Sequence, residues 1–276
     1  MGGISVSESA RARLTALRPR RRHGYGVLAR RMAGPLVVLG LWEAYARSGL
    51  VDPLYLPPPS QIASVFWGLL VSGVLIGHAV ASLERVFAGF LLAAVAGIGL
   101  GLLIGWFRVL SDFLDPLIEL IRPVSPIALI PLAILWFGIG AESKIFVIFI
   151  GTFFPILINT IAGVRHTDPV MINAARALGA SDIRILYTVS LPSAVPFIYA
   201  GLRVSMGIAF IVIVASEMVA AQNGLGWLIL DSERVYRTDR MFVGIVSIST
   251  LGLLMDYVTR RIGEAAFPWI NRGTRA

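Results

Sequence analysis

The chain has 276 residues, 57% of them hydrophobic and only 14% charged, with a mean hydropathy of +0.80. A soluble domain carries about a quarter charged residues, so this composition describes an integral membrane protein. The net charge of +8 does not point to nucleic acid, because the arginines sit at the ends of apolar runs, and the lack of cysteine excludes disulfides, iron–sulfur clusters and cysteine-based zinc sites.

Residues 1–31 hold eight arginines and read as a flexible cytoplasmic tail. The first apolar run, about 32–46, contains Glu43. Ala44-Tyr45-Ala46 looks like a signal-peptidase site, so a cleaved signal competes for this segment. The several apolar runs that follow favour a retained first span. Pro57, Pro58 and Pro59 exclude helix where they stand, since each removes a donor and imposes extended geometry on its predecessor. Ser60 is then the expected cap of an interfacial helix over 61–75, in which Ile62, Val65, Phe66, Leu69 and Leu70 repeat at helical spacing.

Residues 86–107 run without a charge for 22 positions, enough to cross a bilayer. Gly89, Ala93, Gly97, Gly101 and Gly105 recur every four residues and form a small-residue ridge on which a second helix can pack closely. Packing within one subunit is the preferred reading of that ridge, and a dimer seam is the alternative. The next span, 123–140, carries Pro123, Pro126 and Pro131, which should distort it. Kinks inside a membrane free backbone groups that neighbours or water must satisfy, so such segments tend to line cavities. A span over 145–164 contains Pro155 and Asn159. Another over 194–221 has Arg203 near its start and Glu217 near its end. The last, 241–257, closes on Asp256, Arg260 and Arg261.

Between the spans 145–164 and 194–221 lies a polar, helix-forming island, 168–192. Asp168-Pro169 reads as a helix start, with Asp as cap and Pro in the first turn. Val170, Ala174 and Leu178 fall on one face. Gly179 can end this helix in a left-handed conformation. Ser181 can cap a second short helix, which Pro192 should end. The small side chains of Ala174 and Ala175 would let the island lie close against a partner. Six spans with both ends inside put 18 of the 24 basic side chains on the cytoplasmic side, as the positive-inside rule requires, and place the island in the cytoplasm.

Several chemistries find no support. The one lysine, Lys144, follows Ser143 where a P-loop needs glycine, so no phosphate cradle of that type exists and an ATP-driven process needs a separate ATPase. His23, His78 and His166 are scattered, and no carboxylate pair or nucleophilic triad appears, which argues against an enzyme. Glu217 is the sharpest single residue, since a carboxylate inside a span is costly and usually faces a cavity or a partner. Two roles stay open for it: pathway or gate, and structural pairing with an arginine. A negative group is unsuited to holding an anion directly. Trp136 and Phe137 read as interfacial aromatics, with a gate as the alternative for Trp136. Asn159 is expected to hydrogen-bond a neighbouring helix. Residues 223–230 suggest a re-entrant or lid element on the outer face, or a plain loop.

The spacing from Asn173-Ala174-Ala175 through Leu178-Gly179-Ala180 to Leu191-Pro192 resembles the EAA loop of ABC-importer permeases, with Asn173 where that family has glutamate. Leu114-Asp115-Pro116-Leu117, Ile134-Leu135-Trp136-Phe137-Gly138, Phe154-Pro155-Ile156 and Gly224-Leu225-Gly226-Trp227 narrow the likeness to the taurine, aliphatic sulfonate and nitrate branch, over about 54–261. The resemblance implies an all-α membrane protein with about six transmembrane helices and the type I ABC importer (MetI-like) permease fold. Its permease domain would cover 32–262, with a C-terminal cytoplasmic tail over 263–276. Loop 168–192 would be the coupling element seated in a cleft of the ATPase. The same likeness implies two permease copies as a homodimer in the bacterial inner membrane, with both termini cytoplasmic. Two ATP-binding subunits and a periplasmic or lipoprotein substrate-binding protein would complete the importer. ATP and Mg would be bound by the partner ATPase, with no cofactor in this chain and no nucleic acid among its partners. Cargo could also be bicarbonate, a thiamine precursor or an aromatic acid. An ion-driven secondary transporter is the remoter alternative, because internal repeats and paired intramembrane charges are not evident in the sequence.

Overall fold

A computed structural model describes residues 24–266 and divides the chain into two compact units, one ending at Ser60 and one beginning at Gln61. The arginine-rich tail expected at 1–31 lies outside the described residues up to position 23, and its remainder opens a helix. The expected C-terminal tail lies outside them from 267 onward.

The first unit is built on α1 (Gly24–Arg47), which contains Pro35. Within it Arg47 reaches Glu43 one turn earlier at 2.5 Å. Ser60 donates to the same carboxylate from its backbone N–H (3.0 Å) and its hydroxyl (2.7 Å). Ser60 is therefore not a cap. The next helix, α2 (Pro59–Val71), begins one residue before it, with proline in the first turn where a missing N–H is tolerated.

The second unit is all helix among the described residues. Its elements are α3 (Val74–Trp106), α4 (Arg108–Ile121), a 3₁₀ turn (Pro126–Leu129) leading into α5 (Ile130–Phe137), and α6 (Ala141–Arg165). Then come α7 (Pro169–Ala177), α8 (Asp182–Ile185), a π turn (Leu186–Ser190), α9 (Leu191–Ala220), α10 (Leu225–Arg234) and α11 (Thr238–Ala266). By length and apolarity α3, α6, the continuous helix Asp182–Ala220 and α11 can each cross a membrane. The pair α4 and Pro126–Phe137, bent by 83°, makes a fifth crossing if taken together. The prolines expected to distort 123–140 do so by breaking it. No helix links Ile121 to Pro126, and α5 alone is 8 residues long. α1, read from the sequence as the first of about six spans, has only eleven residues between Arg31 and Glu43, short of the ~20 that a crossing needs.

The small-residue ridge is the seam between α3 and α6. A Cβ on Gly89 would lie 2.8 Å from Ile145 O, on Gly97 3.0 Å from Ile156 Cγ2, on Gly101 2.6 Å from Thr160 Cβ, and on Gly105 2.7 Å from Val164 Cβ. The ridge thus serves packing within one subunit. Lipid offers no hydrophobic driving force between helices, so close backbone approach is what holds such a pair. Around this seam the core joins Val86, Phe90 and Ala93 of α3 to Val147, Ile148 and Ile156 of α6, with Met206, Ala209, Phe210 and Ile213 from α9. Thr152 and Thr160 return their hydroxyls to the carbonyls four residues back, at 2.7 and 2.8 Å. Ser205 of α9 donates to Thr152 O at 3.0 Å. Every one of these polar groups is buried and satisfied, as a bilayer interior demands.

Candidate functional site

The island 168–192 folds largely as its residues dictate. Asp168 accepts from Val170 N at 2.8 Å and caps α7. Gly179 takes φ +80°, and the closing bonds Gly179 N–H to Arg176 O (2.9 Å) and Ala180 N–H to Ala175 O (3.1 Å) end that helix. Ser181 accepts from Arg184 N at 3.4 Å and opens α8. Pro192 does not end the second helix. α8 passes through the π turn straight into α9, and Pro192 sits in the first turn of that helix. The wider i→i+5 turn falls next to the residue that has no N–H to give, the kind of place where π turns occur. Asp182 to Ala220 is therefore one helix of 39 residues, about 58 Å long.

The apolar face of the island is uncovered. Val170 is exposed, Leu178 is 89% exposed and Ile183 and Tyr187 are exposed beside them. Ala174 is exposed as well, and Ala175 and Ala180 are half-buried. Leu191 is half-buried and Pro192 exposed at the entry to α9. On its other side α7 borders a cavity of about 500 Å³, into which Asn173, Arg176 and Thr167 face together with Arg108 from the start of α4.

The far end of the 39-residue helix carries a buried ion cluster. Glu217 is fully buried. Arg85 Nη1 lies 2.6 Å from Glu217 Oε1, Ser82 Oγ lies 2.9 Å from both carboxylate oxygens, and Gly226 N–H donates to Oε2 at 2.9 Å. Arg85 also donates to Asn223 O at 2.9 Å and to the Asn223 side-chain oxygen. Ser82 Oγ accepts from Leu225 N and His78 Nδ1 from Gly224 N. A side chain at Gly224, which has φ +117°, would run into the Glu217 carboxylate, and one at Gly226 would meet Val214 O at 2.7 Å. Those two glycines let the turn before α10 fold down onto the charge. Nearby, Lys144 donates to Ile139 O at 2.5 Å and to Ala220 O, joining the ends of α5 and α9.

The remaining candidates lie apart. Trp136 is exposed and packs edge-on against Phe146. Asn159 donates to Pro155 O of its own helix at 2.8 Å rather than to a neighbouring one. The arginine partner of Glu217 is Arg85 and not Arg203, which pairs with Asp256 at 2.9 Å. The segment 223–230 is not a plain loop: after the turn at Asn223 and Gly224 it becomes the start of α10, with Leu225, Leu228 and Ile229 buried. Arg85 carried no signal of its own in the sequence. Its one hint was that Glu84 and Arg85 interrupt an otherwise apolar run, which sequence reading cut at that point.

The family profile described as "Binding-protein-dependent transport system inner membrane component" matches residues 97–266. The chain is 36% identical over 238 residues to the taurine transport system permease protein of Escherichia coli, covering 84% of this chain and 86% of that one. It is 36% identical over 235 residues to the bicarbonate transport system permease protein of Synechococcus elongatus, covering 82% and 84%. A chain from a structure of the MetNI methionine ABC transporter in inward-facing conformations superposes with a TM-score of 0.59 at 21% identity. That match covers 69% of this chain and 95% of the other, and is a likeness of fold.

Proposed function

Because this chain belongs to the family of binding-protein-dependent transport system inner membrane components and is the multi-pass permease subunit of an ABC importer, we propose that the island 168–192 is the lever by which a separate ATPase drives it. Transport by such a system depends on an ATPase and on a substrate-binding protein. Asn173, Ala174, Ala175, Leu178, Gly179, Ala180, Leu191 and Pro192 belong to the docking surface and its hinge. The observation that carries this reading is the uncovered apolar face of α7 and α8, with α8 forming the first turn of the 39-residue helix Asp182–Ala220 and a glycine turn at 179 linking α7 to it. Closure of the ATPase would displace α7, and the continuous helix would pass that displacement to the opposite end. ATP and Mg belong to the ATPase, which exerts the force, while this chain supplies path and lever.

The assembly we propose holds two permease copies and two ATPases, with both termini cytoplasmic, a topology supported by the 18 basic side chains it places inside. Its cargo is a small organic anion of the taurine, aliphatic sulfonate or nitrate class, a reading supported by the taurine relative. The bicarbonate relative, equally similar, favours a second reading in which the anion is bicarbonate. Glu217 fits a structural role better than a place in the path, since it is fully buried and Arg85, Ser82 and the Gly226 N–H all converge on its carboxylate. Trp136 and Asn159 are the other two candidate path residues.

Gly179→Trp tests the lever. A Cβ at Gly179 meets nothing within 4 Å, so the first atom of a side chain has room there although the φ of +80° strains the backbone. Reconstituted with its ATPase, the variant should insert normally and hydrolyse ATP, yet lose uptake. Gly179→Ala carries the strain without the bulk and should keep uptake. Wild-type uptake by Gly179→Trp would refute the lever.

A further inference from the structure

α7 and α10 end by the same closure, and one side chain separates them. At α7 the bonds run from Gly179 N–H to Arg176 O and from Ala180 N–H to Ala175 O. At α10 they run from Tyr236 N–H to Glu233 O (3.0 Å) and from Arg237 N–H to Ser232 O (2.8 Å). This closure calls for a left-handed residue just past the cap, a position glycine occupies without penalty. At α7 that residue is Gly179. At α10 it is Tyr236, φ +55°, the one non-glycine with positive φ among the described residues. For a bulky side chain this conformation is an outlier and is unfavourable.

The fold holds the strained turn but makes no use of the ring. Arg237 brackets the turn to Asp239 by two bonds, 3.0 and 3.1 Å. The ring itself stands largely in the open: Tyr236 is 76% exposed and Val235 beside it is exposed too. Arg234, one residue further back, is exposed and has no ionic partner among the described residues. Strain that the surroundings enforce, on a residue that contributes nothing to packing, marks a site. An exposed tyrosine with a flanking arginine is the composition of a binding hot spot. The turn lies between the end of α9 and the start of α11, at the opposite end of the 39-residue helix from the island.

We propose that Tyr236, with Val235 and Arg234, is a contact through which the permease engages its soluble binding protein. The ring enters an apolar recess on that protein, and the Arg234 guanidinium meets a carboxylate at the rim. This rests on the reading that 168–192 is the ATPase face, which leaves the far end of α9 to the binding protein.

The probe is the soluble binding protein that stimulates ATP hydrolysis by the wild-type permease–ATPase complex in proteoliposomes. Tyr236→Gly removes the ring and relieves the backbone together, so the variant should melt at or above the wild-type temperature and keep the basal ATPase rate. Its affinity for the binding protein should fall about tenfold or more, and Tyr236→Trp should retain most of it. A Tyr236→Gly complex stimulated at the same binding-protein concentration as wild type overturns the proposal. So does a variant complex that separates into single permease copies, which would place the ring between permeases. If the wild-type complex responds to no soluble binding protein, the importer reading itself fails, an outcome distinct from either.

Discussion

Arg85 and Glu217 stand 132 positions apart and meet at 2.6 Å, with the carboxylate fully buried and the arginine side chain 11% exposed. The contact joins α3 to α9, and through Asn223 and Gly226 it also fixes the turn that opens α10. Three elements are thereby locked together at one end by charge.

Removing one partner should expose that dependence. Glu217→Ala leaves a buried guanidinium, the Ser82 hydroxyl and the Gly226 N–H without their acceptor. Loss of one member of a buried pair costs about 3–5 kcal/mol, whereas an apolar replacement of both can be nearly neutral. Thermal unfolding of the purified protein should therefore rank Arg85→Met/Glu217→Leu above either single substitution. Additive losses would mean that the two charges are not coupled.

The α3–α6 seam supplies an internal control. A methyl at Gly101 would lie 2.6 Å from Thr160 Cβ and 3.1 Å from Leu157 O, while Gly99, two residues away on the same helix, meets nothing within 4 Å. Gly101→Ala should destabilise by about 1–3 kcal/mol through overpacking. Gly99→Ala should be neutral or stabilise by up to about 1 kcal/mol, because alanine favours helix. The two melting temperatures should move apart, and equal shifts would place the seam elsewhere.

Lys144 is buried at 2% exposure, and its ammonium serves the carbonyls of Ile139 and Ala220, beyond the end of α5 and at the end of α9. Lys144→Met keeps the length and removes the donor. Hydrogen bonds to a charged group contribute about 1.5–3 kcal/mol, so the loss should be of that order. Limited proteolysis should show it as faster cleavage near 138–140 and 220–224. An unchanged cleavage pattern would mean that Lys144 does not hold these two chain ends together.

What the sequence disclosed was whatever rests on local rules. The glycine ridge of α3, the Asp168 cap, the left-handed Gly179 and the broken 123–140 segment each follow from a few neighbouring residues, and each stands where its chemistry put it. What stayed hidden depends on distant pairing. Arg85 reads as a residue that ends a span until Glu217 is brought beside it, and α3 runs through it from Val74 rather than starting near Val86. Arg203 finds Asp256 53 positions later, an ion pair inside two spans that no helix-by-helix reading reveals. Pro192 misleads for a local reason: proline ends a helix or opens one, and only the preceding π turn decides which.

The uncovered face of the island gives a test that does not involve the stability of this chain. Leu178 is 89% exposed, so Leu178→Ser removes little of the chain's own packing, and a surface change of this kind usually stays within about 0.5 kcal/mol. If the face seats an ATPase, the same substitution removes an anchor from an interface, where truncating a central apolar side chain costs more than about 1 kcal/mol. Affinity purification of the tagged permease should then recover markedly less ATPase from Leu178→Ser than from wild type, with equal permease in the membrane fraction. Val170→Ser, on the same face of α7, should act in the same direction, and the pair together should release the ATPase almost completely. Full recovery of the ATPase by the double variant would place its docking surface outside α7.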